Sequence, residues 1–453
     1  MSGPVLHPIP TRAHVAATTS QRLFSLILTT FVCLWTASPA WAVFGDDHNT
    51  EARTNGIVGE INVTGNTHTD LELVNRVMGL RVGDSFDMDS LDRAWDSLED
   101  CGYFQFVEID YDDDDQDHVV IDVMVEEDMT TYYRPLARYS RRHKYLVGAW
   151  IEERNLRGKG ETLRAEVAAL YIQSGRISWQ RPWFLGVNGL ETTVGLGGEI
   201  ANFVFRPFDY RKWDADWDLR WDFVGDFFVG STVNYGFFQQ RDDYNFAAPD
   251  RGVSGPTGQQ SFIAGEQNHW SFGASIGFDS RSNPYYPQSG IFAEATVRNW
   301  QSNEFANYTE QLADLRLFAP MPWRKHVLAL RGWGRQVSGP TNLDNTLFFG
   351  GPETVRGYQY ASREGENGYL FSAEYRIPLF LMQISPKGEM IGFGLHLFGD
   401  AGDAWYDGAE STVAQMSYGA GLHFNLDTWQ LRFEAARTKE GVWQFEFMDK
   451  FNF

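Results

Sequence analysis

The sequence predicts a mainly β protein, a transmembrane antiparallel β-barrel of about sixteen strands preceded by one small α+β domain. The chain has 453 residues, of which 15% are aromatic and 44 are glycine, yet its mean hydropathy is −0.36. Lipid-facing and lumen-facing residues alternate along a barrel strand, so their hydropathies cancel in any sequence window. After residue 42 no apolar run reaches the ~18 residues that a membrane-spanning helix needs, so we expect any membrane crossing to be made by strands.

Residues 1–42 have the pattern of a secretory signal peptide. Arg22 precedes a short apolar run, and a small-residue cleavage site ends at Ala42. We expect cleavage after Ala42, followed by a flexible N-terminus over 43–55. The alternative is a lipoprotein cysteine at Cys33, although the three residues before it make a poor lipobox.

The charge balance and the cysteines exclude several classes of protein. The net charge is −22, and the predicted signal segment holds two arginines and no acidic residue, so the mature chain is more negative still. This argues against nucleic acid and anionic headgroups as main partners. Cys101 is the only cysteine after residue 42, so no intrachain disulfide can form.

No catalytic or metal-binding pattern stands out in the sequence. The ten histidines are scattered without zinc spacing, and no serine lies in a nucleophile elbow or triad signature. We therefore expect no enzymatic activity, no cofactor and no metal.

Residues 56–128 predict a small domain with the element order β-α-α-β-β. A strand with alternating apolar positions precedes two amphipathic helices, and two alternating strands follow them. Thr69 with Glu72 three residues later is a capping box, so we expect the first helix to begin there. The predicted elements are a strand at 56–63, a helix from 69, a helix at 88–101, and strands at 104–111 and 118–125.

The apolar periodicity of these elements also predicts the core of the domain. Between the last two strands, the acidic run from Asp112 to Asp117 is expected to be a solvated turn, with calcium binding as the alternative. Cys101, at a helix end, is expected to be a buried apolar side chain rather than a reactive thiol. The predicted core side chains are Ile57, Ile61, Val63, Leu71, Val74, Val77, Met78, Leu91, Trp95 and Leu98.

From residue 129 to 453 the pattern changes to short alternating segments separated by turn residues. About sixteen segments of ~9–11 residues fit tilted membrane strands, and bacterial single-chain barrels have an even strand count. With the chain entering from the periplasm, the long connections 240–268 and 336–368 fall on the outer side. The segments are 132–140, 145–153, 162–171, 176–183, 190–199, 213–223, 227–238, 269–278, 291–300, 310–318, 327–335, 369–377, 391–400, 417–425, 430–437 and 442–451.

Alternation within single strands assigns the two faces of the barrel. Phe371 and Tyr375 point one way and Glu374 the other, and Asp400 lies on the charged face of the next strand. A charge at the bilayer midplane costs ~2–4 kcal/mol, so the apolar set is predicted to face lipid and the charged set the lumen.

The C-terminal segment carries an aromatic row at every second residue. Trp443, Phe445, Phe447, Phe451 and Phe453 form the row, and Asp449 interrupts it. The alternative to a membrane barrel is a soluble all-β protein, which would leave this row and the aromatic excess without an explanation.

Several motifs resemble those of one known superfamily. In residues 56–128 the resemblance is to a POTRA domain, and it rests on Gly65-Asn66, Gly83 before Phe86, and Gly102-Tyr103-Phe104 before Val107. In the barrel, Phe348-Phe349-Gly350-Gly351 followed by Val355-Arg356-Gly357-Tyr358 is similar to the family's sixth-loop tip. The run 398–402 resembles its thirteenth-strand motif, and the runs 279–284 and 155–160 resemble its fourth and first periplasmic turns. The chain thus resembles the POTRA-plus-barrel superfamily that includes BamA, TamA and the two-partner-secretion transporters.

The resemblance implies a site that is electrostatic rather than catalytic. In the family the loop arginine is anchored in the lumen, so Arg356 is expected to reach Asp400 and Glu374. A bidentate guanidinium–carboxylate pair fixes geometry well; the alternative is an ordinary loop arginine. The candidate loop-anchor residues are Val355, Arg356, Gly357, Tyr358, Glu374, Phe398, Asp400 and Gly402, and the implied barrel-terminal assembly signal is Phe445, Phe447, Phe451 and Phe453.

The resemblance also implies a function and partners. The barrel would contact the lipid of the bacterial outer membrane, with the POTRA domain in the periplasm. This domain would receive unfolded outer-membrane or secreted client proteins by edge augmentation, and the barrel would insert or pass them through a weak seam between its first and last strands. Periplasmic chaperones or accessory proteins are further candidate partners. The alternative is an outer-membrane pore or surface structural protein that keeps the architecture without insertase activity.

Overall fold

The part of the chain that the structure, a computed structural model, describes is residues 56–113, 118–140, 144–170, 172–202, 209–241, 244–245, 261–262, 264–284, 286–303, 307–323, 325–339, 346–359, 361–383, 390–407, 413–426 and 429–448. The predicted signal segment 1–42 and the stretch 43–55 lie outside it, as do Phe451 and Phe453 and most of the acidic turn. No helix among the described residues is long and apolar enough to cross a membrane.

The N-terminal domain is a four-stranded sheet packed against two helices. Its elements are β1 (Gly56–Thr64), α1 (Leu71–Met78), β2 (Ser85–Phe86), α2 (Met88–Asp100), β3 (Phe104–Asp113) and β4 (His118–Glu127). The sheet order is β2-β1-β4-β3, in which β1 runs parallel to β4 and the other pairs are antiparallel. Val58, Val74, Leu98 and Ile121 lie in one buried core. The predicted α+β domain is therefore confirmed.

Three of the side chains predicted for this core are exposed. A bulge after Val58 shifts the register of β1 against β4, and it buries Val58 in place of Ile57. Leu71 opens α1 and is half-exposed. Trp95 is also partly exposed, because its indole N–H reaches the carbonyl oxygen of Val107 at 3.1 Å.

The predicted capping box of Thr69 and Glu72 is not formed. The helix α1 begins at Leu71 with Asp70 as its N-cap, and no side chain caps it. The hydroxyl of Thr69 instead accepts a hydrogen bond of 2.9 Å from the side-chain amide of Asn155. The predicted capping box was wrong because Thr69 contacts the barrel instead. Local sequence does not encode such a long-range contact.

Sixteen strands form one antiparallel sheet, and each predicted segment corresponds to one of them. The strands after the N-terminal domain are β5 (Thr131–Ser140), β6 (Lys144–Leu156), β7 (Glu161–Leu170), β8 (Ile172–Arg181), β9 (Leu190–Asn202), β10 (Asp209–Val224), β11 (Phe227–Gln240), β12 (Tyr244–Asn245), β13 (Ser261–Phe262), β14 (Gly265–Asp279), β15 (Gly290–Ser302), β16 (Tyr308–Pro320), β17 (Val327–Ser338), β18 (Leu347–Phe349), β19 (Arg363–Gly365), β20 (Asn367–Gln383), β21 (Met390–Trp405), β22 (Gln415–Leu426), β23 (Trp429–Thr438) and β24 (Trp443–Met448). The large sheet follows chain order from β5 to β24, and β12–β13 and β18–β19 form two small hairpins outside it.

The two end strands of the large sheet, β5 and β24, lie side by side and close it into a barrel. In the described part of the chain no backbone ladder joins β5 to β24. On its other side β24 pairs with β23 from Trp443 to Met448. The boundary between β5 and β24, called the seam below, is therefore the weakest joint of the described sheet.

The faces of β20 and β21 alternate as predicted. Phe371 and Leu395 are exposed on the outside, whereas Glu374 and Asp400 are buried inside. An apolar outer face and a charged inner face agree with a barrel whose outside contacts lipid.

The N-terminal domain docks on the turn between β6 and β7. Asn155 is buried there, and besides its bond to Thr69 its side-chain oxygen accepts the backbone N–H of Gly160 at 2.8 Å. The backbone N–H of Asp70 donates to the carbonyl of Gly158 at 2.9 Å. Because strand direction alternates, the connections 240–268 and 336–368 leave the opposite end of the barrel, as predicted.

Glu127 orders the loop that makes this contact. Its carboxylate accepts the backbone N–H groups of His68 (3.0 Å) and Thr69 (2.6 Å) and the hydroxyl of Thr67 (2.6 Å). Burial by itself would raise the pKa of Glu127, but these hydrogen bonds lower it to about 2. His68 also reaches the carbonyl of Asn155 at 2.9 Å, so the loop is held from both sides.

Candidate functional site: a loop anchor inside the barrel

The long connection between β17 and β20 folds back into the barrel. Its strands β18 and β19 pair as a hairpin. Beyond this hairpin's first strand the chain turns so that Val355 is fully buried, in an apolar cluster with Phe349, Tyr358, Leu370 and Ala404. Since Leu370 lies on β20 and Ala404 on β21, the cluster fixes the loop tip against two barrel strands.

Arg356 and Asp400 form a two-pronged ion pair. Arg356 Nε donates to one carboxylate oxygen at 2.7 Å, and Nη2 donates to the other at 2.8 Å. The backbone N–H of Arg356 reaches the same carboxylate at 3.1 Å, and the hydroxyl of Ser372 donates to it at 2.7 Å. Both charged side chains are fully buried. One carboxylate therefore fixes the position and the orientation of the loop tip.

Two more carboxylates and two more arginines complete the cluster. Arg356 Nη1 contacts Glu374 at 2.8 Å and Glu434 at 3.2 Å. Arg432 bridges the same two carboxylates, at 2.5 Å and 2.8 Å, and Arg376 contacts Glu374 at 2.9 Å. With the aspartate described above, three guanidinium groups balance three carboxylates. Buried charges are tolerated only when they are paired in this way.

Two further predicted residues shape the space around the loop. The Phe398 ring lies under the guanidinium, with its centroid 3.7 Å from Arg356 Cζ, in a cation–π contact. Gly402 leaves room for Phe349 of the loop, because a Cβ at Gly402 would lie 2.6 Å from that ring.

The loop tip also contacts β24, the turn before β24, and β22. The backbone N–H of Gly357 donates to Glu446 Oε1 of β24 at 3.2 Å. The hydroxyl of Tyr358 donates to Glu440 at 2.7 Å and accepts the backbone N–H of Met416 at 3.3 Å. The loop anchor is thus attached to the strand that borders the seam.

The predicted barrel-terminal residues lie apart from the loop anchor. Phe445 is 79% exposed on the outer face of β24, and Phe447 is partly buried beside it. Phe451 and Phe453 lie outside the described residues.

One group of residues has the spacing of a metal site. Glu374, His396 and Glu434 each offer a ligand atom, and these atoms lie within 4.8 Å of one another. Arg432 already contacts both carboxylates. A divalent cation would add to the positive charge of three guanidinium groups, which repel it. We therefore assign the three residues to charge pairing rather than to metal binding.

Several residues of the site are not among those predicted from the sequence. Arg376, Arg432, Glu434 and Glu446 alternate with apolar side chains on β20, β23 and β24, so the period-two rule that selected Glu374 would have selected them too. The same rule places His396 on the lumen face between Leu395 and Leu397, but an isolated histidine carries no signal for the partner that it contacts.

Two family models match the chain. The Omp85 superfamily domain matches residues 155–448, and the POTRA model, described as a surface antigen variable number repeat, matches residues 56–128. No curated protein sequence matches the chain.

Several solved structures have a similar fold. One is BamA from Haemophilus ducreyi lacking POTRA domains 1–3, with 15% identity and a TM-score of 0.66 over 86% of this chain and 84% of that one. Another is CdiB from Acinetobacter baumannii, with 14% identity and a TM-score of 0.57 over 87% and 73% of the two chains. CdiB from Escherichia coli has 11% identity and a TM-score of 0.52, over 95% of this chain and 96% of that one. The family match spans more than half of the sequence and agrees with the fold and with the motifs, and the chain belongs to the Omp85 superfamily of POTRA-plus-barrel outer-membrane proteins.

Proposed function

We propose that the protein inserts or translocates client polypeptides at the outer membrane, with the POTRA domain on the periplasmic side. The observation that carries this proposal is the contact between the loop anchor and the seam. Arg356 is held in the lumen by three carboxylates, and the next residue, Gly357, contacts Glu446 of β24. A change in the anchor therefore acts directly on the strand beside the seam.

The seam gives a client strand a place to pair. An unpaired backbone N–H or C=O in lipid costs several kcal/mol, roughly the cost of burying a polar group without a partner. No backbone ladder joins the facing edges of β5 and β24 in the described part of the chain. An incoming β-strand can pair its own backbone groups in lipid by adding to either edge, which favours its insertion at this position.

The position of the POTRA domain supports a role in delivering such a strand. Its β3 ends the described sheet on one side and offers an edge of ten residues for strand addition. The domain docks through Thr69 and Asp70 on the turn between β6 and β7, and β6 is the neighbour of β5. A client bound at the domain is therefore close to the β5 side of the seam.

Reconstitution into lipid vesicles tests the proposal. A urea-unfolded outer-membrane barrel protein is added as client, and its folding is followed by heat-modifiability on gels. The wild-type protein should accelerate folding over empty vesicles, and Arg356→Ala should remove most of the acceleration. Arg437→Ala is the matched control, since Arg437 is an exposed arginine of β23 away from the anchor. Equal rates with and without the protein would overturn the proposal for such clients.

The alternative of a pore without insertase activity makes a different prediction in the same vesicles. A pore conducts ions steadily in a planar bilayer and leaves client folding unchanged. Depletion in cells separates general assembly from secretion of one partner, because the first lowers many outer-membrane proteins and the second lowers a single exported protein.

A further inference from the structure

A buried chain of hydrogen-bonding groups connects the turn between β14 and β15 to the loop anchor. Tyr286 of that turn is 1% exposed, and its hydroxyl lies 3.1 Å from His423 Nε2. The Nδ1 atoms of His423 and His396 are 3.3 Å apart, and His396 Nε2 lies 2.9 Å from Glu434 Oε1. Glu434 contacts Arg356, so the chain ends on the loop arginine.

The barrel strands leave room for the two imidazoles. Facing His396 on β22 is Gly421, where a Cβ would lie 2.6 Å from the imidazole. Facing His423 on β21 is Gly394, where a Cβ would lie 2.7 Å from the ring. Both histidines are buried. Their positions are therefore fixed by close packing, and the hydrogen-bond distances follow from it.

The donors and acceptors along this chain can be assigned one by one. Glu434 Oε1 accepts from Arg356 and Arg432, so it is an ionised carboxylate and His396 Nε2 must carry the proton. A neutral His396 then has a bare Nδ1, which requires the proton of His423 on its own Nδ1. The bare Nε2 of His423 accepts the hydroxyl proton of Tyr286.

The opposite direction would require a charged His396, with protons on both ring nitrogens. A charged His396 would add a fourth cation to the buried cluster beside three guanidinium groups, which repel it. This favours two neutral imidazoles. The charged and titratable groups that face the two histidines are Glu374 and Arg376 on β20, Arg432 and Glu434 on β23, and Tyr286 on the turn.

We propose that Tyr286, His423 and His396 are positioning residues of the loop anchor, which form a one-directional hydrogen-bond chain that holds Glu434 against Arg356. This hydrogen-bond chain couples the turn at the POTRA end of the barrel to the loop that enters from the other end. Its test uses ring protons and thiol labelling, so the outcome is independent of client insertion.

The first measurement reads the protonation of the two histidines in the wild-type protein. The protein labelled with ¹⁵N-histidine is refolded in detergent micelles, and the ring nitrogens are recorded at pH 7.5. We expect His396 as the neutral Nε2–H tautomer and His423 as the neutral Nδ1–H tautomer, with the signals assigned by His396→Gln and His423→Gln. A charged His396, or a His423 with its proton on Nε2, would overturn the proposal.

The second measurement removes the first donor of the chain. Tyr286→Phe keeps the ring but not the hydroxyl, so His423 Nε2 should lose the hydrogen bond that it accepts and its ¹⁵N signal should shift. The proton should stay on Nδ1, because His396 still requires it there. Tyr375→Phe is the matched control, because Tyr375 contacts a different histidine, His326, at 2.9 Å. The control should change His326 and leave His423 as it is. An unchanged His423 Nε2 signal in Tyr286→Phe would contradict the hydrogen bond between Tyr286 and His423.

The third measurement follows the loop tip itself. In a Cys101→Ser background, Val355→Cys places a thiol in the buried cluster, where labelling requires the tip to leave the lumen. His396→Leu should speed labelling roughly tenfold or more, the effect of losing one hydrogen bond to a charged group. His396→Gln, whose amide can still donate to Glu434, should stay near the wild-type rate. Equal rates for His396→Leu and wild type would exclude a positioning role, and heat-modifiability verifies that each barrel is folded.

Discussion

The backbone and the side chain of Arg356 converge on a single carboxylate, that of Asp400. Nε, Nη2 and the backbone N–H of the arginine all lie within 3.1 Å of its two oxygens. Because a backbone group takes part, the contact fixes the loop tip itself and not only the end of a long side chain. Predictions about the anchor follow from this geometry.

Arg356→Lys should fail to replace the arginine. An ammonium cannot contact both oxygens of Asp400 while it reaches Glu374 and Glu434, and it stacks less well on Phe398. Breaking a buried pair typically costs about 3–5 kcal/mol, so the loop tip should detach while the barrel stays folded. The Val355→Cys labelling rate measures the detachment, and a wild-type rate in Arg356→Lys would contradict the two-pronged contact.

Arg356→Ala and Asp400→Ala should be strongly non-additive. The second change removes a charge that the first has already left without its partner, so the double variant should cost less than the sum. It should not return to wild type, since Glu374 and Glu434 still lose their contacts with Arg356. The labelling rates of the wild type, the two single variants and the double variant give the free energy of loop release for a double-mutant cycle. Strict additivity would mean that the two residues act independently.

Gly357→Ala should release the loop tip, whereas Gly441→Ala should not. Both glycines have a positive φ, +85° and +86°, so the backbone strain of an added Cβ is similar in the two variants. Only at Gly357 does the added Cβ meet another residue closely, the Cβ of Ala436 at 2.8 Å. The difference in labelling between the variants therefore isolates the packing of the tip. Equal effects would show that backbone strain alone is responsible.

Glu127→Gln should loosen the contact between the POTRA domain and the barrel at neutral pH. The folded-state pKa of Glu127, about 2, lies below its unfolded value, so its stabilisation is present above about pH 4.5 and is lost as pH falls towards 2. Because the carboxylate is partly solvent-exposed, we expect it to stabilise the contact by only about 1 kcal/mol. Hydrogen exchange of residues 66–70, corrected for intrinsic rates, measures this loss of stabilisation in the full-length protein.

The pH dependence of that hydrogen exchange tests whether the pKa of Glu127 is lowered in the folded protein. The difference between wild type and Glu127→Gln should be constant from pH 8 to about pH 5 and should shrink at lower pH. Glu126→Gln is the control, since Glu126 is the exposed neighbour on the same strand. A difference that grows as pH falls would have the wrong sign for a carboxylate with a lowered pKa.

Deletion of Phe453 should lower the amount of folded barrel in outer-membrane fractions. The reason is the C-terminal aromatic row, which the resemblance implies is recognised during assembly. Asn452→Ala changes the neighbouring residue outside the row and should leave the level unchanged. Wild-type amounts of heat-modifiable barrel after the deletion would count against the assignment of the final strand.

Much of the fold follows from local pattern, because each barrel strand carries its own signal. Period-two alternation located all sixteen strands, although most of them extend further than predicted, since the ladder continues beyond the apolar band. The same rule assigned Glu374 and Asp400 to the lumen before any contact was known. The long loop and the Arg356 motif could be recognised because they are contiguous in sequence.

Tertiary structure alone decided which of these residues meet. Thr69 could cap a helix by its local sequence, but it bonds to Asn155, 86 positions along the chain. Glu434 and Glu446 lie on strands other than that of Glu374, and the fold brings Glu434 to Arg356 and Glu446 to the next residue, Gly357. Sequence determined the direction in which each side chain points because alternation is a property of a single strand. Partners were decided by the fold because strand register and the path of the loop arise only when all strands pair.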